Sequence, residues 1–101
     1  MGIPDASHLQ IAVLDSLSSE KSGRELRARL AKLGYKQGGP AFYRMMGRLE
    51  ESKLVEGWQQ LSEIDGIQIR EKRYRISAEG IRCLEQVREH YSQLSCFGLT
   101  S

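Results

Sequence analysis

Apolar positions along the chain change rhythm twice, and those changes divide it into six elements. Leu9, Ala12, Val13 and Leu17 form one stripe at helical spacing, and Ile11 and Leu14 add apolar surface on a second side. A helix with two packing partners is expected over residues 7–17. Ser18 and Ser19 break that pattern. Ser22-Gly23-Arg24-Glu25 then has the form of a capping box. In such a box the serine hydroxyl accepts from the amide three residues on, and the glutamate carboxylate accepts from the serine amide. The second helix that follows turns Leu26, Leu30 and Leu33 to one side and stops at Gly34, a residue at ease in the left-handed region. After a connection over residues 35–39, Pro40 fits the first turn of a third helix, where its missing N–H is not needed. Phe42, Met45, Met46 and Leu49 are the stripe this helix buries, with Tyr43, Arg44, Gly47 and Glu51 on the other side.

From Leu54 the period shortens. Residues 54–62 and 68–76 read as strands, joined through residues 63–67, where Asp65-Gly66 is a strong hairpin signal. Tyr74 and Ile76 fall on one face of the second strand and Ile67 and Ile69 on the other, which predicts a bulge near residues 70–72. Ser77 caps a last helix, with Glu79 in its positive first turn. Gly80, Leu84, Val87, Tyr91 and Leu94 make a heptad-like seam along it, widened by Ile81. The order is helix, helix, helix, strand, strand, helix. The fold class is mainly α with a β-hairpin, on the winged helix-turn-helix plan. Residues 1–76 are expected to form the winged-helix unit, and residues 77–101 a pairing helix with a short tail.

Composition narrows the class further. At 101 residues, 40% apolar and 28% charged, the chain fits one small globular domain. No apolar run approaches the roughly 20 residues that span a bilayer. The N-terminus has neither the basic start nor the apolar stretch of a secretory leader, and Ala6 leaves an acylation pattern incomplete. A cytoplasmic protein is expected, with Cys83 and Cys96 as reduced thiols rather than a metal pair. His8 and His90 are far apart in the sequence and fall in no motif, and the sequence holds no zinc-protease motif, nucleophile elbow or phosphate-cradling loop. The expectation is a non-enzyme without metal or cofactor.

Net charge is only +2, but it is unevenly spread. Between residues 21 and 48 lie Lys21, Arg24, Arg27, Arg29, Lys32, Lys36, Arg44 and Arg48 against Glu25 alone, a local excess of +7. The segments on either side are net acidic. A basic block in a near-neutral chain points to a local polyanion contact rather than a whole-molecule field.

Three segments carry a family resemblance. The stretch from Phe42-Tyr43-Arg44 through Arg48-Leu49-Glu50 to Leu54-Val55 resembles the third-helix signature of PadR-like transcriptional regulators. Tyr74-Arg75-Ile76-Ser77-Ala78-Glu79-Gly80 resembles that family's strand-to-helix segment, and Ser22-Gly23-Arg24-Glu25-Leu26 is similar to its second-helix start. The likeness runs from about Leu9 to Leu94, with the blocks in family order. Three positions depart from the pattern. Lys53 stands where the family often has glycine, Arg73 where an aromatic is usual, and Glu63 and Asp65 at a wing tip that is often basic.

The resemblance implies a short-branch, homodimeric regulator of transcription, a repressor, that sets two third helices on a pseudo-palindromic site in double-stranded DNA. Lys36, Gln37, Tyr43 and Arg44 are then placed to reach the major groove, Gln37 by pairing with adenine and Arg44 with guanine or phosphate. Tyr43 is read either as a phosphate donor whose ring packs on the second helix or as a half-buried core aromatic. Arg48, followed by Glu50 and Glu51, is expected in an ion pair, and otherwise joins the DNA-contacting set. Arg70, Lys72 and Arg73 on the second strand replace the acidic wing tip as backbone contacts. The dimer would form through Leu9, Ile11 and Leu14 of the first helix and Leu84, Val87, Tyr91 and Leu94 of the last. Trp58, the sole tryptophan, is expected to pack on the third helix; the resemblance also makes it a candidate contact for a flat aromatic effector. The competing reading is a winged-helix protein–protein adaptor that does not bind DNA, which the acidic wing tip favours.

Overall fold

A computed structural model describes the backbone of residues 8–96 and the side chains of residues 8–90. The elements run α1 (His8–Ser16), β1 (Lys21–Ser22), α2 (Gly23–Lys32), α3 (Gly39–Glu51), β2 (Val55–Ile64), β3 (Ile67–Ile76) and α4 (Ala78–Cys96). The strands form one antiparallel sheet in the order β1-β3-β2. Three helices, a sheet built on a long hairpin, and a closing helix make a winged-helix fold. Tyr91 and Leu94 fall among the residues whose side chains are not described, as does Cys96.

The α1, α2 and α3 stripes converge on one core. Val13, Leu14 and Leu17, then Leu26 and Leu30, then Phe42, Met46 and Leu49 are all at most 2% exposed. Val55, Tyr74 and Leu84 close that core from the sheet and α4. Burial is also the main reason the Tyr74 phenol is pushed up to about 12, with the Glu50 and Tyr43 charges adding to it.

Helix ends are set by local hydrogen bonds. At the start of α2 the Glu25 amide donates to Ser22 Oγ at 3.1 Å and the Ser22 amide donates to Glu25 Oε1 at 2.8 Å, the expected capping box. Both α2 and α3 end in the same double closure. Gly34 and Tyr35 donate back to Ala31 and Leu30, and Lys53 and Leu54 donate back to Glu50 and Leu49. Each closure needs a left-handed residue, supplied by Gly34 at φ 95° and by Lys53 at φ 63°. Lys53 therefore closes α3 as a glycine would, at a cost of about 1 kcal/mol that glycine would avoid. Ser77 Oγ accepts from the Gly80 amide and donates to the Lys53 carbonyl at 2.6 Å, tying the start of α4 to the end of α3. Gly80 is fixed by that junction, since a Cβ there would lie 2.2 Å from the Leu54 carbonyl oxygen.

Four sequence expectations need correction. The hairpin has no bulge: its register is unbroken from Val55 opposite Ile76 to Ile64 opposite Ile67. Ile67 and Ile69 lie on the opposite face from Tyr74 because the outer half of the hairpin has no core to face. The turn is only Asp65-Gly66, both at positive φ, so the strands reach further than residues 54–62 and 68–76. Leu33 is 46% exposed and does not continue the Leu26–Leu30 stripe, because it is already the cap residue where α2 unwinds. The two-residue strand β1, which pairs Lys21 with Tyr74 and Ser22 with Arg73, was not foreseen.

Candidate nucleic-acid interface

The outward side of α3 follows from its inward one. With Phe42, Met46 and Leu49 buried, Pro40, Ala41, Tyr43, Arg44, Arg48 and Glu51 must face solvent, and all are exposed. Gly38 caps the helix with no side-chain hydrogen bond, so its first amides have no side-chain acceptor there. Gly47 looks onto open space. The exposed side is therefore low in relief at Ala41 and Gly47 and carries guanidinium groups one turn apart at Arg44 and Arg48.

Neither Arg44 nor Arg48 enters an ion pair among the described residues. The expected pairing of Arg48 with Glu50 or Glu51 is not formed. Glu50 lies two positions on, around the far side of the helix, and reaches Lys72 at 3.4 Å instead. Glu51 is one turn on, but an arginine N-terminal to its acid is the weaker arrangement. Arg44 and Arg48 share a cleft with Leu9, Gln10, Gln37, Ala41 and Met45. A second cleft beside it is lined by Arg24, Arg27, Lys36 and Gln37, so the basic block of the sequence surrounds the start of α3.

Of the two readings of Tyr43, the geometry bears only on the ring, which packs at the start of α2. The residue is 46% exposed, and its ring meets Phe42 edge-on at 4.9 Å. Its hydroxyl end passes over Gly23 at the start of α2, where a Cβ would come within 2.7 Å. Glycine at that position is what lets the two helices approach. Gln37 is only half-buried, but its side-chain oxygen is enclosed without a hydrogen-bond partner. Its main-chain carbonyl accepts from Arg27 at 3.2 Å. Pairing with adenine uses both ends of the amide, so Gln37 would have to turn its oxygen outward first.

The wing cations behave differently from those of α3. Lys72 lies over the Tyr74 ring and pairs with Glu50, in space kept open by Gly57. Arg73 is 17% exposed among Glu20 at 3.5 Å, Glu25 at 3.5 Å and Glu71 at 3.9 Å, and Glu71 also holds Arg24 at 2.9 Å. These two residues, expected as DNA contacts, tie β3 to α3 and α2 in the protein alone. Arg70 alone of the three remains exposed and outside any ion pair among the described residues.

Trp58 is on the sheet face shared with Arg73 and Arg75, away from α3. This corrects the expected packing. Its Nε1 donates to Gln60 at 3.2 Å, and the Arg75 guanidinium lies 5.5 Å from the ring centroid.

The residues expected at a dimer interface divide. Leu14 is buried in the core and does not line the groove between α1 and α4. Leu84 and Val87 are also buried, yet their edges, with Ile11, Ala12, Leu33 and Tyr35, line an apolar groove of about 860 Å³ along α1 and α4. Asp15 and Arg88 pair across it at 2.6 Å. Leu9 is half-buried at the edge of the core. Trp58 is not among the residues lining the groove.

Among the described residues no cluster of His, Cys, Asp and Glu could hold a metal, and no helix is long and apolar enough to cross a membrane. Cys83 is a half-buried free thiol.

No family model and no curated protein matches the chain. Solved structures do. A PadR-like transcriptional regulator from Bacillus cereus superposes with a TM-score of 0.73 at 26% identity, over 92% of each chain. A PadR family regulator from Eggerthella lenta gives 0.69 at 28% identity, over 90% of this chain and 77% of the other. Bacillus subtilis PadR, crystallised in complex with operator DNA, gives 0.64 at 20% identity over 78% of this chain and 46% of its own, a likeness of fold. The first two likenesses cover nine-tenths of the sequence, and the winged-helix fold of this chain is similar to that of PadR-like transcriptional regulators.

Proposed function

We propose that this protein is a sequence-specific, double-stranded-DNA-binding regulator of transcription, acting as a homodimeric repressor with α3 in the major groove. The observation that carries the reading is the outward side of α3. Two exposed arginines one turn apart have no carboxylate partner among the described residues, on a helix kept slim by Ala41 and Gly47. Guanidinium groups so placed can meet phosphates or guanine edges, and a slim helix can sit deep enough for them to do so. The open amides at Gly38 favour a phosphate near the start of the helix. That a PadR protein of the same fold was crystallised with operator DNA supports a DNA-binding reading of this chain.

The apolar groove along α1 and α4 is the surface on which two copies would pair, through Ile11, Leu84 and Val87, with Leu9 at its margin. With Lys72 and Arg73 engaged internally, the wing would add to DNA binding only through Arg70.

Selection from a random duplex pool, followed by mobility shifts of the selected sequence across a salt series, tests the reading. Counterion release predicts that log affinity falls linearly with log salt, with a slope of about −0.9 per phosphate neutralised. Failure to enrich any sequence, with no retention of duplex at low salt, would leave the adaptor reading in its place.

A further inference from the structure

The outer edge of β2 is unusually bare. Strand β2 is at the edge of the sheet, and among the described residues its outer side from Glu56 to Ile64 has no backbone partner. Folded proteins blunt such edges with lysine, proline or a bulge. Here the pairing with β3 is regular, and residues 57–62, Gly-Trp-Gln-Gln-Leu-Ser, contain no charge and no proline. Leu61 is 64% exposed on one face, and on the other Ile67, opposite Ile64, is 64% exposed. DNA is a poor occupant. The ionisable groups of β2 and its turn, Glu56, Glu63 and Asp65, are all acids, and the cation at Arg70 is on the neighbouring strand β3.

We propose that this edge is a second self-association surface, on which β2 of one copy pairs antiparallel with β2 of another about a two-fold axis centred at Gln60. A two-fold perpendicular to the sheet matches like faces, so each residue must oppose one of the same parity. With Gln60 opposite its own copy, Gln59 opposes Leu61, Trp58 opposes Ser62, Gly57 opposes Glu63 and Glu56 opposes Ile64. No two like charges are brought together, and the whole unpaired run from Glu56 to Ile64 is used. The surface is separate from the groove along α1 and α4. A protein with both would continue past the dimer, so that bound dimers could be linked wing to wing.

Sedimentation velocity of the full chain over a wide concentration range tests this, with Trp58 emission as a local readout. Wild type is expected to form species larger than a dimer, with a blue shift of Trp58. Gln60→Lys and Gln60→Glu sit at an exposed position, and each should abolish those species by setting like charges opposite each other. An equimolar mixture of the two variants should regain them, because opposite charges then meet across the axis. Circular dichroism of each variant checks the fold. Wild type whose largest species is no larger than that of the Gln60 variants, or variants that assemble alone as wild type does, would overturn the proposal, whereas a wild-type dimer that Gln60→Lys reduces to monomer would uphold it and overturn pairing along α1 and α4 instead. None of these results depends on DNA binding, so the regulator reading stands or falls separately.

Discussion

Arg73 on β3 and Arg44 on α3 carry the same group into opposite surroundings. Arg73 is mostly out of water, with Glu20, Glu25 and Glu71 about it. Arg44 stands in solvent with no acid against it among the described residues. A cation in the first setting has its charge balanced within the fold and ties β3 to α2 and to the segment before β1. A cation in the second has its charge unspent, and neutralising a phosphate loses it no existing partner. Density of basic residues along a chain therefore says less about a polyanion site than the number of carboxylates each one can reach.

The sharpest way to break this contrast is to remove Arg73. Arg73→Ala leaves three carboxylates facing one another, with only Arg24 to hold Glu71. Stranding one side of a buried pair costs about 3–5 kcal/mol. Glu20 and Glu25 are about half exposed and can turn to water, which lowers the expected loss to about 2–3 kcal/mol. For a domain of this size that is a fall in melting temperature of roughly 10–20 °C. A thermal melt within a degree or two of wild type would mean that Arg73 is a surface cation after all.

The complementary substitution acts on the other property. Arg44→Ala should leave the melting temperature nearly unchanged, since the side chain is exposed and enters no ion pair among the described residues. On a selected duplex it should weaken binding by about 1–3 kcal/mol, and reduce the salt slope by about 1 if its contact is a phosphate. Isothermal titration at several salt concentrations checks both numbers. Equal affinity for the two proteins would move the DNA contact away from α3.

Sequence periodicity carried most of this architecture and little of the ion pairing. The outward side of α3 could be read because helical spacing sorts Arg44 and Arg48 from Phe42, Met46 and Leu49 without knowledge of any other element. The fate of Arg73 could not. Its partners lie up to 53 positions away, and one of them, Glu20, adjoins β1, whose two residues are too few to show a period. Lys72 and Glu50 illustrate the same limit, since each becomes intelligible only once α3 packs on the hairpin at Gly57 of β2. The bulge expected at residues 70–72 failed for a related reason. Alternation reports a buried face only where there is something to be buried against, and the tip of the hairpin has nothing.

The smallest expected effect separates the Arg73 cluster into its parts by acid. The Glu25 carboxyl is held below its ordinary value of 4.5, first because it accepts from the Ser22 amide and also because of the Ser22 hydroxyl, Arg73 and Arg24; partial burial opposes them. A group whose folded value is depressed contributes stability that is complete above its unfolded value. That contribution drains away as pH falls through the folded value. The Glu25 contribution should therefore be level down to about pH 5 and decline below it. Glu25→Gln keeps an acceptor for the Ser22 amide but takes up no proton, so the decline should be shallower by less than about 1 kcal/mol, the small figure reflecting a side chain that is 54% exposed. Urea midpoints at pH 7 and pH 3 measure it. Parallel losses in the two proteins would show that the capping hydrogen bond holds Glu25 in place without drawing on its charge, and would leave Glu20 and Glu71 to balance Arg73.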